Sequence, residues 1–460
     1  MSGPAPPGGR AAPFGDRAAA ERALLARVNY ERRPTPPGGF KLDGVRAVLA
    51  ELGDPHRAVP ALHVAGTKGK GSTAHFCAAA LTAAGVRCGL FTSPHLYRVE
   101  ERFTVDGGQA GAAAFGALVA DVLAAAGRAE ADGAAAATFF ECVAACGFLH
   151  FHRSGCDLAV LEVGLGGRLD ATNVCRPVAC AVTNVSRDHT QLLGDTPAAI
   201  ATEKAGVAKR GVPLVWGGGP GEAADAVAAV CGAAGAPLVD ADPARTLREA
   251  GDGSLHVTCP GGDWGPLPAP AGGSHQRGNL AVAAHLLDAT RAAGFPVKPE
   301  HLAAAAAAVR LPGRAELRPA PTDAAGTPTG PAVLFDAAHN PAGAAALAAV
   351  LAGLPAPIPP ARRTAVLAVA RDKDAAGVLA PLLRHFDEVT VTAFRSNPRA
   401  LPAERLAAVA RSLTDRPVRR EPDPAAAWAA ARDAAGPGGL AVAAGSFFLV
   451  AELRPPDPGP

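Results

Sequence analysis

The chain has 460 residues, long for one core, so two domains are expected. Hydrophobic residues make up 49% and the formal net charge is +2; this suits a soluble globular protein and shows no charge asymmetry calling for nucleic acid or an anionic membrane. The nine cysteines form no Cys-x-x-Cys pair and their odd number argues against a complete disulfide framework, so a reducing, cytoplasmic setting is expected, with no membrane span.

The opening "MSGPAPPGGRAAPFGD" lacks an apolar core of signal-peptide length. Residues 1–36 are expected to be a disordered Pro/Gly/Ala-rich tail and lead-in. Short apolar strands then alternate with Ala/Leu-rich helical stretches. The first, Ala61–Gly66, runs into the glycine-rich "GTKGKGST" and a helix. Such a turn aims backbone N–H groups and the positive helix end at one point, which is a phosphate cradle. Gly66, Gly69 and Gly71 permit close approach, Lys70 holds the phosphate-lysine position, and Ser72 or Thr73 offers a hydroxyl to magnesium. Val64 stands where the usual motif has its first glycine, and Gly71 follows the lysine in place of a hydroxyl residue. Lys68 reads as a supporting or substrate-facing cation; a plain Gly-rich turn with solvated lysines is the alternative.

"TFFE", Thr138–Glu141, opens a helix and reads locally as a cap. Strand Leu158–Gly164 carries Glu162 inside an apolar run, where a carboxylate needs a cation. A nucleotide-bound magnesium is one candidate and Arg168 the other. Strand Ala179–Val185 leads to Asp188 and His189, at the ligand edge of a parallel sheet. "TEKAGVAKRG" reads as a helix with Glu203 and Lys204 on its first turns, and Val212–Gly217 as a further strand. Cys259–Gln276 looks irregular, a surface loop or short hairpin. A Pro/Gly/Thr-rich break then separates Arg310–Leu317 from strands Ala332–Ala338, Thr364–Ala370, Glu388–Phe394 and Leu440–Ser446. The expected fold is therefore α/β, with parallel sheets covered on both faces and domains at 37–314 and 315–460.

"GTKGKGST" followed by "GLFTSPHL" (Gly89–Leu96) resembles the folylpolyglutamate synthase/dihydrofolate synthase family of the Mur ligase superfamily. Cell-wall Mur ligases usually carry threonine after the loop lysine; Gly71 is similar to the folate branch. Matching motifs continue from about Phe40 to about Arg454. The resemblance implies an N-terminal P-loop-type ATP-binding domain and a smaller, Rossmann-like C-terminal domain that binds glutamate. Its implied activity is ATP- and magnesium-dependent addition of L-glutamate to dihydropteroate, folyl-(poly)glutamates or both, through an acyl phosphate, by a monomer acting on small molecules.

By the same resemblance, Gly66 to Thr73, Asn279 ("HQRGN"), Arg314 ("LPGRAEL") and Asp336 ("DAAHN") would meet ATP. Ser93, Glu162 and His189 would join Ser72 around the metal, and Lys204 would be carbamylated. Thr138, Phe139, Phe140, Glu141, Leu169, Asp170 and Ala171 would contact the pterin acid; His339, Lys373 and Ser446 would hold glutamate. Two other readings stay open: a sister ligase joining a different acid and amine, and a non-catalytic P-loop nucleotide binder.

Overall fold

The computed structural model describes residue 14 and residues 16–31, 41–354 and 361–456. Much of the expected tail lies outside these residues. Within its described part, however, Arg17–Leu25 is a helix (α1), started by Asp16, whose side chain accepts from Ala19 N. Ala20 and Leu24 are buried, so the lead-in is anchored by packing and is not disordered throughout.

Among the described residues seventeen strands run in chain order: β1 Pro60–Ala65, β2 Cys88–Phe91, β3 Phe103–Val105, β4 Gly108–Gln109, β5 Leu158–Glu162, β6 Arg176–Val182, β7 Leu214–Trp216, β8 Leu238–Asp240, β9 Leu247–Glu249, β10 Leu255–Cys259, β11 Gly262–Leu267, β12 Glu316–Arg318, β13 Ala332–Asp336, β14 Arg363–Leu367, β15 Glu388–Val391, β16 Val418–Arg420 and β17 Leu440–Ala444. The described chain divides into two compact units, one of Met1–Thr246, Val257–Gly265 and Val282–Ala305, the other of Leu247–His256, Pro266–Ala281 and Ala306–Pro460.

The first unit holds an eight-stranded sheet, order β4-β3-β2-β5-β1-β6-β7-β8. The run from β2 to β8 is parallel, and only the β2–β3 and β3–β4 pairings at one edge are antiparallel. Its central strands β1 and β5 are buried almost end to end, which is why they read as unbroken apolar runs. Helices α2 (Asp43–Glu51), α3 (Lys70–Ala83), α4 (Ala112–Ala131) and α5 (Phe139–Arg153) pack with this sheet or on one another. By length and composition α4 could cross a bilayer. Its Phe115, Leu118, Val119, Val122, Ala125 and Ala126 are instead buried, and it packs on α1, α2 and α5 as a core helix.

The expected irregular stretch Cys259–Gln276 contains the turn between β10 and β11, within a three-stranded sheet of order β11-β10-β9. The second unit holds a six-stranded sheet, order β12-β13-β17-β14-β15-β16, parallel except for the edge strand β12. A cluster including Leu334, Leu347, Leu367, Leu379, Val391 and Val442 forms its core.

Candidate nucleotide and acid site

Parallel register sets the site. Val64 of β1 is level with Glu162 of β5, and Ala65 with Val182 of β6, so the loops after all three open at one carboxyl edge. Gly66 leaves β1 at φ +145°, and an added Cβ would lie 1.9 Å from Thr183 Oγ1, so only glycine fits. The loop is bolted to the segment after β6. Thr67 N donates to Asn184 O (2.9 Å), Lys68 N donates to Asn184 Oδ1 (3.0 Å), and Lys68 O accepts from Thr183 Oγ1 (2.6 Å) and Asn184 Nδ2 (2.8 Å). Thr183 and Asn184 were missed by sequence reasoning, although a Thr-Asn pair directly after an apolar strand is a readable signal. Gly66→Ala is expected to lower the midpoint of the first thermal transition by several degrees, the scale of a core clash on a strained backbone; an unchanged calorimetric profile would contradict this account of the turn.

Gly69, at φ +81°, caps α3, which begins at Lys70 and has no acid in its first turn to compete for an incoming anion. Among the described residues Lys70 Nζ reaches only Thr67 O, at 3.5 Å. Lys68 Nζ lies 3.5 Å from Asp188 Oδ2, which fits a supporting role. Ser72 and Thr73 are buried, Thr73 completely.

Glu162 ends β5 at 4% exposure. Its Oε2 accepts from Ser93 N at 3.0 Å, and a Cβ on Gly71 would sit 3.3 Å from the same oxygen. The glycine after Lys70 therefore leaves room for this carboxylate. Arg168, the other candidate partner, binds Glu203 instead at 2.8 Å. His189 stands at φ +52° before a short helix α6 (Thr190–Leu193), its side chain 41% exposed and 3.7 Å from Asp188. Among the described residues no group of three or more His, Cys, Asp or Glu is arranged to hold an ion alone. One buried carboxylate with nearby hydroxyls suits a hard divalent cation that keeps most of its ligands from phosphates, so the donor set fits magnesium.

Helix α7 (Pro197–Ala205) begins at Thr196, whose side chain accepts from Ala199 N, with Pro197 in its first turn. Glu203 and Lys204 consequently fall in its last turn, not its first, and "GVAKRG" continues as a loop. Lys204 is 5% exposed and its Nζ donates to Gly66 O at 3.0 Å. Burial first, and then the charge of Lys70, lower its pKa to about 7. The loop after β5 presses on this helix end: a Cβ on Gly167 would meet Lys204 O at 2.6 Å, and Arg168 N donates to Glu203 O at 2.9 Å.

Around the expected acid-binding blocks, Thr138 and Glu141 form a capping box on α5, and Glu141 also accepts from Val45 N at 3.2 Å. Phe139 is a core residue, with the Arg102 guanidinium 5.3 Å above its ring. Half-buried Phe140 points its ring at Gly164, where a Cβ would come within 2.5 Å. Leu169 is half-buried, while Asp170 and Ala171 are buried. Arg102 went unread in the sequence. It is 1% exposed, binds both Glu31 oxygens (2.7 and 2.8 Å) and donates to His95 Nδ1 at 2.8 Å, tying the lead-in to the "TSPHL" block.

In the second unit, Asp336, Leu367 and Ala444 end neighbouring parallel strands, so the segments holding Asp336–His339, Lys373 and Ser446 leave one edge. Asp336 accepts from Ala315 N (2.6 Å) and Ala338 N (2.7 Å), fixing the chain beside Arg314. The Arg314 guanidinium lies 4.5 Å above the Phe447 ring, and the His339 ring is 6.2 Å from the same ring. His339 Nδ1 donates to Ala337 O at 2.9 Å. Ser446 caps the helix Phe447–Leu453, and half-buried Lys373 follows β14. Asn279 donates to Gln276 Oε1 at 2.8 Å; both it and Arg314 fall in this unit.

The Mur ligase middle domain family matches residues 64–211, and the Mur ligase glutamate ligase domain family matches residues 322–447. The dihydrofolate synthase/folylpolyglutamate synthase of Mycobacterium tuberculosis is 36% identical over 413 residues, 85% of this chain and 82% of the relative. The chain belongs to the folylpolyglutamate synthase/dihydrofolate synthase family. A Halobacterium salinarum protein named "Probable bifunctional folylpolyglutamate synthase/dihydropteroate synthase" is 39% identical over 88% of this chain, which spans only 48% of that relative's length. Among solved structures, the Yersinia pestis folylpolyglutamate synthase/dihydrofolate synthase complexed with AMPPNP and Mn ion has TM-score 0.79 at 30% identity, covering 97% of this chain and 98% of its own. The family therefore accounts for both matched domains and for the order of the motifs along the chain.

Proposed function

We propose that this family member is an ATP-dependent ligase that adds L-glutamate to dihydropteroate, to folyl-(poly)glutamates, or to both, in the cytoplasm and as a monomer. The observation that carries the reading is Glu162, a buried carboxylate set against Gly71 and the Ser93 amide beside the Lys70 loop. That is an arrangement for a metal–nucleotide complex, and a simple nucleotide switch has no use for the acid and glutamate blocks that the chain also carries. The nine free, buried cysteines suit a reducing compartment.

In this reading an oxygen of the pterin acid's carboxylate attacks the γ-phosphorus of ATP, the bond to ADP breaks, and an acyl phosphate forms. The glutamate amine then bonds to the acyl carbon, phosphate leaves, and the amine sheds a proton. A bound magnesium ion supplies positive charge against the oxygens of the transferred group. Ser72, Ser93, Glu162 and His189 would hold it, and the amides of Gly66 to Thr73 with Lys70 would cradle the phosphates. Lys204, as its carbamate, would fix the metal side of the cradle. Arg314, Asn279 and Asp336 would act on the nucleotide; His339, Lys373 and Ser446 would act on glutamate. Thr138 to Glu141 and Leu169 to Ala171 would receive the pterin acid.

The deciding experiment offers ATP, magnesium and glutamate with either dihydropteroate or tetrahydrofolate, and identifies products by mass. A product heavier by one glutamyl residue, formed with equimolar ADP, is expected from at least one acid. ATP turnover with no glutamyl adduct from either would remove the proposal.

A further inference from the structure

A line of buried polar groups runs from the middle of the first sheet into the loop after β5. His63, fully buried in β1, is level with Leu161 of β5 and Cys180 of β6. Its Nε2 lies 2.8 Å from Thr172 Oγ1, and that hydroxyl donates to Asp170 Oδ1 at 2.6 Å. Asp170 also accepts from Thr172 N (3.0 Å) and, through Oδ2, from Leu165 N (2.9 Å).

The proton positions follow from this count. Backbone amides only donate, so Asp170 acts as an acceptor on both oxygens. The single Thr172 hydroxyl proton goes to Asp170, so toward His63 that oxygen accepts, and His63 Nε2 must carry its hydrogen. Burial keeps the ring neutral, its pKa pushed down to about 3. Nδ1 is then a bare acceptor, and it is indeed a buried atom without a hydrogen-bond partner among the described residues. The opposite tautomer would strand a buried N–H, which native structures tolerate far less often.

The segment Gly164–Ala171 has little regular structure and three glycines, so its shape must be imposed from outside. Asn173 does this on one side, donating to Arg168 O (2.9 Å) and Gly206 O (3.1 Å). We infer that His63 is a positioning residue that holds this loop for the pterin acid, through Nε2–H to Thr172 and Thr172 to Asp170, from a rigid central strand. The inference rests on the ligase reading above. It assigns His63 to acid affinity, not to phosphate binding, although His63 precedes the phosphate loop by only a few residues.

The test compares His63→Leu with His63→Gln, whose side-chain amide can place an N–H near the Nε2 position. His63→Leu is expected to raise the KM for the pterin acid about 10-fold, the size of one buried hydrogen bond, with the KM for ATP changed less than about 2-fold. His63→Gln should recover most of the loss. Thr172→Val and Thr172→Ser cut and keep the next link, and should repeat the pattern if His63→Leu fails to fold. Both KM values rising together, or the Gln and Ser variants failing like Leu and Val, would overturn the assignment. Amide exchange in the substrate-free protein separates this inference from the reading beneath it. The amides of Leu165 and Thr172 should exchange faster in His63→Leu; unchanged exchange refutes the positioning role whatever the wild type turns over.

Discussion

Glu162→Gln is expected to lower ADP release dependent on pterin acid and glutamate by about 1,000-fold or more, with the protein still folded. The glutamine keeps the volume beside Gly71 and an oxygen for the Ser93 amide, but removes the negative charge. The residue's proposed work is to hold a cation against a triphosphate, so charge and not shape is what matters. Lys70→Ala should be comparably damaging, since it removes the one cation placed at the start of α3 while leaving the amide cradle. A coupled ADP assay with each substrate omitted in turn reads both. Glu162→Gln retaining more than about a tenth of wild-type turnover would disconnect this carboxylate from the reaction.

Lys204→Ala should be inactive, with partial recovery in millimolar short carboxylic acids that occupy the space of a carbamate. Carbamylation joins the lysine nitrogen to the carbon of carbon dioxide with loss of a proton, and only the neutral amine can do it. With a pKa of about 7, the neutral fraction rises from about a tenth at pH 6 to about nine tenths at pH 8. Activity after carbon dioxide depletion and re-addition should follow that rise. A fully active alanine variant would end the idea.

The same lysine marks stability. Its folded pKa lies below the ordinary 10.5, so between pH 10.5 and 7 the unfolded chain binds the proton first. Stability therefore increases with pH across that window, by up to about 1.4 kcal/mol per unit from this group, and the dependence vanishes below pH 7, where both states are protonated. In buffer freed of carbon dioxide, where the amine stays uncarbamylated, Lys204→Met should flatten that part of the profile in thermal melts from pH 7.5 to 10; an unaltered slope would show that Lys204 is not buried as a neutral amine.

Much of the fold was legible because a parallel strand covered on both faces is apolar at every position. The expected strand at Ala61–Gly66 is β1 at Pro60–Ala65, and that at Leu440–Ser446 is β17 at Leu440–Ala444. Strands of two to four residues at or near sheet edges, such as β4, β8 and β16, were not seen, because so few residues carry no period. Helix ends were misplaced where caps were overlooked. Thr196–Pro197 starts α7 well before Glu203, and Asp16 starts α1 inside a segment whose composition alone suggested disorder.

The phosphate turn, its lysine, the buried acid at the end of β5 and the order of the motifs are local patterns, and the chain's letters sufficed for them. Which partner each charged or polar group takes was decided by tertiary structure. Glu162 meets the Ser93 amide and not Arg168, Glu31 holds Arg102, Lys204 reaches the Gly66 carbonyl, and His63 finds Thr172. These pairs are remote in sequence and are brought together by the parallel register of β1, β5 and β6 and by the helices packed on them. The depressed pKa of Lys204 has the same origin, since desolvation depends on what surrounds a side chain in space.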